Sequence, residues 1–378
     1  MTAATQPHLT RPSRPRRWLE AIDHRLGLDA LRYPVPEHAN NLAWSLGGLT
    51  ATCLLILILT GLVLTQYYDP VPEAANQSVR YIVENVVLGR YIRGVHFWTA
   101  QGMYVLAALH LIRVFFHGSY KRPREGNWLI GVAMFGLTLL ALFTGTVLKW
   151  DQEGYEALAH NIELAPLFGG AGLWFSPSFA ANTPILVRLY SAHVVLIPGL
   201  IVVLFFIHAL LIKRHRISPH PSIQDDQGQI SAPGLHIPTE PQAEPGAGRF
   251  PEAAEPFTHH LRRVAAFGLV LFALLTLLAV LFPPPVGPTP VAGIEVTKPM
   301  WPFWWMFTLE NWVGLPGIVW GAALLFLLLV ATPFIDRNPA RSWRDRPVAM
   351  TVGSLVLLTL IVLTVLMAVT TPAAHLGM

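Results

Sequence analysis

Cysteine is all but missing from this chain. One thiol, Cys53, stands among 378 residues and lies within an apolar run, which excludes a disulfide framework. Charge is scarce as well: 13% of residues are Asp, Glu, Lys or Arg, against 53% apolar. That balance sets the chain among polytopic membrane proteins and apart from soluble ones. The small basic excess, +4 at pH 7, follows the boundaries of the apolar segments, so no nucleic-acid partner is expected. The first 40 residues are basic and proline-rich, yet no short apolar core with a small-residue cleavage site follows, and no removable leader is expected.

Seven stretches are long and apolar enough to span a bilayer, at roughly 42–66, 90–117, 128–148, 185–213, 263–282, 313–333 and 348–370. If the N-terminus lies inside, 20 of the lysines and arginines fall on that side and 6 on the other. The excess predicts a multi-pass protein of the inner (plasma) membrane with a cytoplasmic N-terminus and membrane lipid around it. Residues 1–41 form a cytoplasmic segment. Within it, Trp18, Ile22 and Leu26 recur at four-residue spacing among charges, as in a helix lying on the interface. Residues 214–262 carry eight prolines and read as a hydrophilic linker. It separates a four-helix half, 42–213, from a three-helix half, 263–378. The expected fold is all-α.

The four-helix half holds four histidines in two pairs, His96 with His110 and His193 with His208. A histidine in hydrocarbon needs a partner that offsets its desolvation. Fourteen residues are just under four helical turns, so His96 and His110 face nearly the same way, about 21 Å apart along the axis. The second pair, at an interval of 15, spans a similar depth. Two helices presenting imidazoles at two matching heights make two stacked bis-histidine sites. A porphyrin iron takes one neutral imidazole on each face of its ring, so two heme b groups are expected, with these four histidines as metal ligands.

Gly47 and Gly61 on the first span are 14 apart, and so are Gly131 and Gly145 on the third. A flat macrocycle in a four-helix bundle needs such close backbone approach. Arg93 and Arg113 lie three residues outward of His96 and His110, where they could pair with heme propionates or simply snorkel to the interface. Pro198, between His193 and His208, should kink its helix and absorb the odd fifteenth residue. His160 and the other histidines outside the four fall at helix ends, in loops or in the linker, and no ligand is expected among them.

The stretches NNLAWSLGGLTATC, TGLVLTQYYDP, YIRGVHFWTAQGMYVLAALHLIRV, GSYKRPREGNWLIGV, FTGTVLKWDQ and RLYSAHVVLIPG resemble cytochrome b of the quinol-oxidising cytochrome bc complexes, densely over 16–218. The later half is similar more thinly, through KPMWPFWW and DRNPARSWRDRPVA. The interval of 15 and the seven spans resemble the photosynthetic form, in which the two halves are separate chains. The resemblance implies that His96 and His193 hold an outer heme, His110 and His208 an inner one. It also implies quinol oxidation at the outer face and quinone reduction at the inner one. A Rieske-type iron–sulfur protein or other redox subunit, a c-type cytochrome and a homodimeric complex come with it.

Two positions depart from that family. The photosynthetic form tethers a third heme through a cysteine where this chain has Ser45, and Cys53 lies about 12 Å further along the helix. A covalent third heme is therefore not expected. The family's PEWY motif, whose glutamate takes a proton from quinol, is here Pro299, Met300, Trp301 and Pro302. A thioether cannot accept that proton. Glu310 is the preferred substitute, Asp151 the second candidate, and Lys149 replaces the usual proline beside the same presumed pocket. The expected protein is the diheme membrane subunit of a quinol oxidoreductase. Its alternative is a non-bifurcating conduit between the quinone pool and a different redox partner.

Overall fold

In the computed structural model, residues 33–218 and 254–371 are described, together with the isolated positions Arg25 and Ala374. The expected surface helix over 14–32 and most of the expected linker fall outside them. Ten helices are described: α1 (Leu42–Leu64), α2 (Pro72–Glu84), α3 (Gly89–Phe116), α4 (Glu125–Leu148), α5 (Gln152–Leu164), α6 (Ile185–His215), α7 (Phe257–Leu281), α8 (Trp304–Val313), α9 (Pro316–Ile335) and α10 (Pro347–Val369). Seven of them, α1, α3, α4, α6, α7, α9 and α10, are long and apolar enough to cross a membrane. Large aliphatic side chains such as Leu59, Leu210, Leu269 and Leu327 stand exposed on these spans. In water such rows would be a liability; in hydrocarbon they cost nothing.

The helix boundaries have local causes. The Asn41 side chain accepts the Trp44 N–H and starts α1. Proline at the first turn starts α2, α9 and α10. Three helices have no counterpart among the expected spans. One is α2, which buries Ala75, Asn76, Val79 and Ile82 along one stripe. Another is α5, capped by Asp151. The third is α8, which packs against α9 and α10. The fifth span begins at Phe257, six residues before its expected start, and the sixth runs to Ile335.

Helix α6 contains the one departure from α-geometry that bears on the site. A π-turn occupies Ala192–Leu196, with the Ile197 N–H bonded to Ala192 O. Pro198 follows and brings no N–H for the regular bond to Val194. A π-turn accommodates one extra residue. The fifteenth residue between His193 and His208 is thus taken up by a widened turn beside the proline, and a proline kink is not needed to explain it.

In the four-helix half α1 packs on α3 and α4 on α6, while α7 closes over α1 and α3. Small residues permit that closure: a Cβ at Gly94 would lie 3.0 Å from Ala279, and one at Gly48 would lie 2.7 Å from Val264. A short antiparallel pair, β1 (Pro34–Pro36) with β2 (Ala254–Pro256), ties the entry of α1 to the start of α7. Tyr33 stacks on Phe257 there, with ring centres 4.6 Å apart.

A second tie joins the last two spans to α3. Arg346, fully buried, donates to the Tyr120 hydroxyl at 3.0 Å, to Asp336 at 3.3 Å and to the carbonyls of Phe115 and Phe116 at the end of α3. Lys121 pairs with the same Asp336 at 3.0 Å. Burial disfavours the Asp336 charge, but Tyr120, Lys121 and Arg346 together hold its carboxyl below the ordinary range. Arg346→Ala would leave Asp336, Tyr120 and two helix-end carbonyls short of a donor. The expected cost is about 3–5 kcal/mol. A thermal melt of the detergent-solubilised protein should show a large drop in Tm, and an unchanged Tm would mean that Arg346 does not hold the halves together.

Candidate functional site

Helix α3 supplies His96 and His110, and α6 supplies His193 and His208. The imidazoles of His96 and His193 face each other with ring centres 6.3 Å apart and planes at 61°. A metal held end-on by two imidazoles requires a separation of roughly 6 Å: about 2 Å of metal–nitrogen bond and about 1 Å from nitrogen to ring centre on each side. These rings already stand at that distance.

The outward nitrogens of this pair are fixed. Thr60 Oγ1 gives its own proton to Ile56 O at 2.7 Å and lies 2.9 Å from His96 Nδ1. Thr144 Oγ1 likewise donates to Leu140 O at 2.9 Å and lies 2.9 Å from His193 Nδ1. With each hydroxyl proton committed to a carbonyl, the Nδ1–H of each imidazole donates to the hydroxyl oxygen. The network therefore places the ring proton on Nδ1 and leaves the Nε2 lone pair free to bind a metal. At the other depth no threonine faces the rings: the buried Nδ1 of His110 has no hydrogen-bond partner among the described residues, and His208 has the Asn127 backbone as its partner.

All four expected glycines face the histidines. A Cβ on Gly145 would lie 3.0 Å from His193 Cε1, on Gly47 3.1 Å from His110, on Gly61 3.4 Å from His96 and on Gly131 3.7 Å from His208. The structure thus gives the glycine pattern a more specific cause than macrocycle edges: each glycine makes room for one ligand ring. Four imidazoles at two depths, each seated against a glycine, fit a pair of iron porphyrins.

Gly61, Gly145, His96 and His193 line an apolar cavity of ≈ 270 Å³ that also includes Arg93. The Arg93 guanidinium donates to the carbonyls of Pro284 and Pro285 at 2.6 and 3.0 Å. Arg113 lies over the Trp44 ring at 4.2 Å, and its buried Nε has no partner among the described residues. Ser45 is fully buried and donates to Asn41 O at 2.8 Å.

A second cavity, ≈ 500 Å³, lies between α4, α5, α8 and α9, and its wall is mostly apolar. Met300 lines both cavities. It is pinned between them, since Gln101 Nε2 donates to its sulfur at 3.2 Å and Trp301 Nε1 donates to Gln101 Oε1 at 2.8 Å.

The two carboxylate candidates are placed differently. Asp151 caps α5, accepting from the Gly154 N–H, accepts the Gly287 N–H at 3.0 Å and pairs with Lys149 at 3.3 Å. It borders neither cavity. Glu310, on α8, is 1% exposed and is absent from the second cavity's wall; its Oε1 lies 3.2 Å from His160 Nε2. His160 itself is in that wall.

The sequence alone assigns no role to Thr60 or Thr144, and it marks His160 only as a non-ligand. A Thr–Gly pair recurs at 60–61 and 144–145, each pair facing one histidine, and that repeat was a usable signal. Gln152, Glu156 and His160 recur every four residues and are all buried, a polar stripe that marks one face of α5.

Residues 31–216 match the family model described as Cytochrome b/b6/petB. The chain is 36% identical to cytochrome b6 of Heliomicrobium gestii over 210 residues, which are 53% of this chain and 98% of that protein. It is 36% identical over 213 residues to the menaquinol:cytochrome c reductase cytochrome b subunit of Geobacillus thermodenitrificans, covering 52% of this chain and 95% of that one. A chain of a hyperthermophilic respiratory Complex III superposes with a TM-score of 0.75 at 21% identity, covering 94% of this chain and 92% of its own. That likeness concerns the fold, and it extends over the three-helix half.

The glycine spacings rank the outcome of adding one methyl group. Gly145→Ala and Gly47→Ala should displace their histidines and lose most of the b-type absorbance of the affected site, Gly61→Ala less, and Gly131→Ala least. Reduced-minus-oxidised spectra of purified variants at matched protein concentration would check the order; equal loss at all four would contradict it.

Proposed function

The chain belongs to the cytochrome b/b6 family, and on that premise we propose that it is the diheme membrane subunit of a quinol:electron-acceptor oxidoreductase. The observation that carries this reading is the His96–His193 separation of 6.3 Å, with Nδ1 of each ring held by a threonine. His96 and His193 would hold one heme b, His110 and His208 the other. When bound, the two hemes supply one-electron centres at two depths of the bilayer. The protein's part is to fix the tautomer and orientation of each ligand and to keep the site apolar.

Quinol fits the second cavity, whose ≈ 500 Å³ and apolar wall suit a ring with a prenyl tail. Met300 forms the partition between that cavity and the His96–His193 cavity, so a bound quinol would sit one side chain away from the nearer heme. The excess of basic residues at the His110–His208 end supports placing that end at the cytoplasm and the quinol cavity at the outer face of the inner (plasma) membrane. The Geobacillus relative is by name a menaquinol:cytochrome c reductase subunit, which supports quinol as substrate and a c-type cytochrome as eventual acceptor; a Rieske-type iron–sulfur protein between them and a homodimeric complex complete the proposal. Arg93 and Arg113 would meet heme propionates, Arg113 through its unpartnered Nε. Asp151 is engaged as a helix cap and by Lys149, which favours Glu310 or a group beside it over Asp151 as proton acceptor. The four-helix half, 42–213, carries the hemes, 214–262 links it onward, and 263–378 completes the quinol cavity through α8 and α9.

The non-bifurcating conduit stays as the second reading because Met300 occupies the family's glutamate position. It differs in one measurable respect: electrons from quinol would reach the hemes without any iron–sulfur subunit.

His96→Leu or His193→Leu should abolish one b-type component and leave the other, while His110→Leu or His208→Leu should do the reverse. Potentiometric titration followed by absorbance would resolve the two. Variants that each remove half of both components would break the pairing. Quinol added to membranes should reduce both components in the unmodified protein, and complete failure to do so would end the quinol reading.

A further inference from the structure

Three acid–base groups converge at the second cavity, His160 and Glu295 on its wall and Glu310 behind them. His160, on α5, donates its Nδ1–H to the Glu156 carbonyl at 2.8 Å. A carbonyl can only accept, so Nδ1 carries a proton and Nε2 is the variable atom. That Nε2 lies 3.2 Å from Glu310 Oε1 and 3.6 Å from Glu295 Oε1, with Phe307 packed against the ring at 5.1 Å. A bare imidazole nitrogen and an ionised carboxylate oxygen would repel at that distance. A proton on Nε2 relieves that repulsion, so the protonated imidazole is favoured beside Glu310. The arrangement is held from outside as well: the Glu156 carboxylate accepts the N–H groups of Val296 and Thr297 at 3.0 and 2.9 Å and the Thr297 hydroxyl, which fixes the strand of chain bearing Glu295.

We propose that His160, flanked by Glu295 and Glu310, is the proton-accepting group for quinol bound in this cavity. His160 and Glu295 line the wall, whereas Glu310 lies behind it and reaches the cavity through His160. The O–H bond of the quinol breaks, its electron pair stays on the quinol oxygen, and the proton passes to the carboxylate–imidazole–carboxylate cluster. In the accepting form His160 is neutral with Nε2 bare; Nε2 takes the quinol proton, and afterwards His160 is an imidazolium facing Glu295 and Glu310. Met300, where the family has a glutamate, cannot contribute, and the proton therefore leaves through His160 and not through the residue that divides the two cavities. The inference rests on the reading that quinol occupies this cavity.

Burial alone would push the His160 pKa down, but the hydrogen bond and charge of Glu310, the Glu156 carbonyl and Glu295 raise it above its ordinary value. A cluster already holding its proton accepts another poorly. Quinol-driven heme reduction should accordingly rise with pH until the cluster gives up that proton, and then level off.

The test uses the complete complex in native membranes, with menaquinol in excess and b-type absorbance followed on mixing across a pH series. His160→Gln should slow reduction by roughly 10²-fold or more and flatten its rise with pH, with both b-type components still present in dithionite-reduced spectra. Glu310→Gln keeps the shape of the buried carboxylate and guards against misfolding of the first variant. It removes one raising influence and should move the inflection to lower pH. If both variants keep the parent's rate and pH profile, the proposal is overturned while the quinol reading stands. If the unmodified complex shows no reduction by quinol, both fall.

Discussion

Everything in the four-helix half depends on holding two imidazoles face to face in an apolar interior with their proton-bearing nitrogens turned away. His96 and His193 come from helices that do not adjoin in sequence, yet their rings stand 6.3 Å apart. Neither ring could be so placed without the neighbouring helix: Gly61 on α1 leaves room for one, Gly145 on α4 for the other, and Thr60 and Thr144 fix their tautomers. The pairing of α1 with α3 and of α4 with α6 follows from this, since each ligand helix needs a glycine-bearing helix at its back.

The two depths are not equivalent. Threonine precedes the glycine at 60–61 and 144–145, but Leu46 precedes Gly47 and Ile130 precedes Gly131. The His110 Nδ1 consequently has no acceptor among the described residues, and His208 has the Asn127 backbone in place of a hydroxyl. A ligand imidazole that donates from its far nitrogen is a stronger base toward its metal. The chain thus distinguishes its two sites with two hydroxyl groups, and does so on both faces of one site at once.

Among the described residues the three-helix half brings no histidine to either pair. Its role is to shape the second cavity: α8 presents Phe307 and the buried Glu310, α9 closes one side, and the Met300 segment divides this space from the His96–His193 cavity. Arg346, sunk between the end of α3 and Asp336, holds that half in register with the histidine-bearing helices. The thinly matching stretch from Asp336 to Arg346 is in this way the part of the later half that is tied most tightly to the earlier one.

Much of this was legible from residues alone. Seven apolar runs, the 14-residue histidine and glycine intervals and the scarcity of charge determine an all-α membrane bundle, because helical periodicity and the cost of polar groups in hydrocarbon leave few alternatives. Which nitrogen of each histidine is protonated, why the second interval is 15, and where Glu310 and His160 sit were decided only by tertiary structure. A hydrogen bond from the His96 ring to Thr60, 36 residues away, a widened turn beside Pro198 and an ion pair linking α5 to α8 across 150 residues leave no periodic trace in the chain. They depend on the distance between side chains on different helices, which spacing along one helix does not encode.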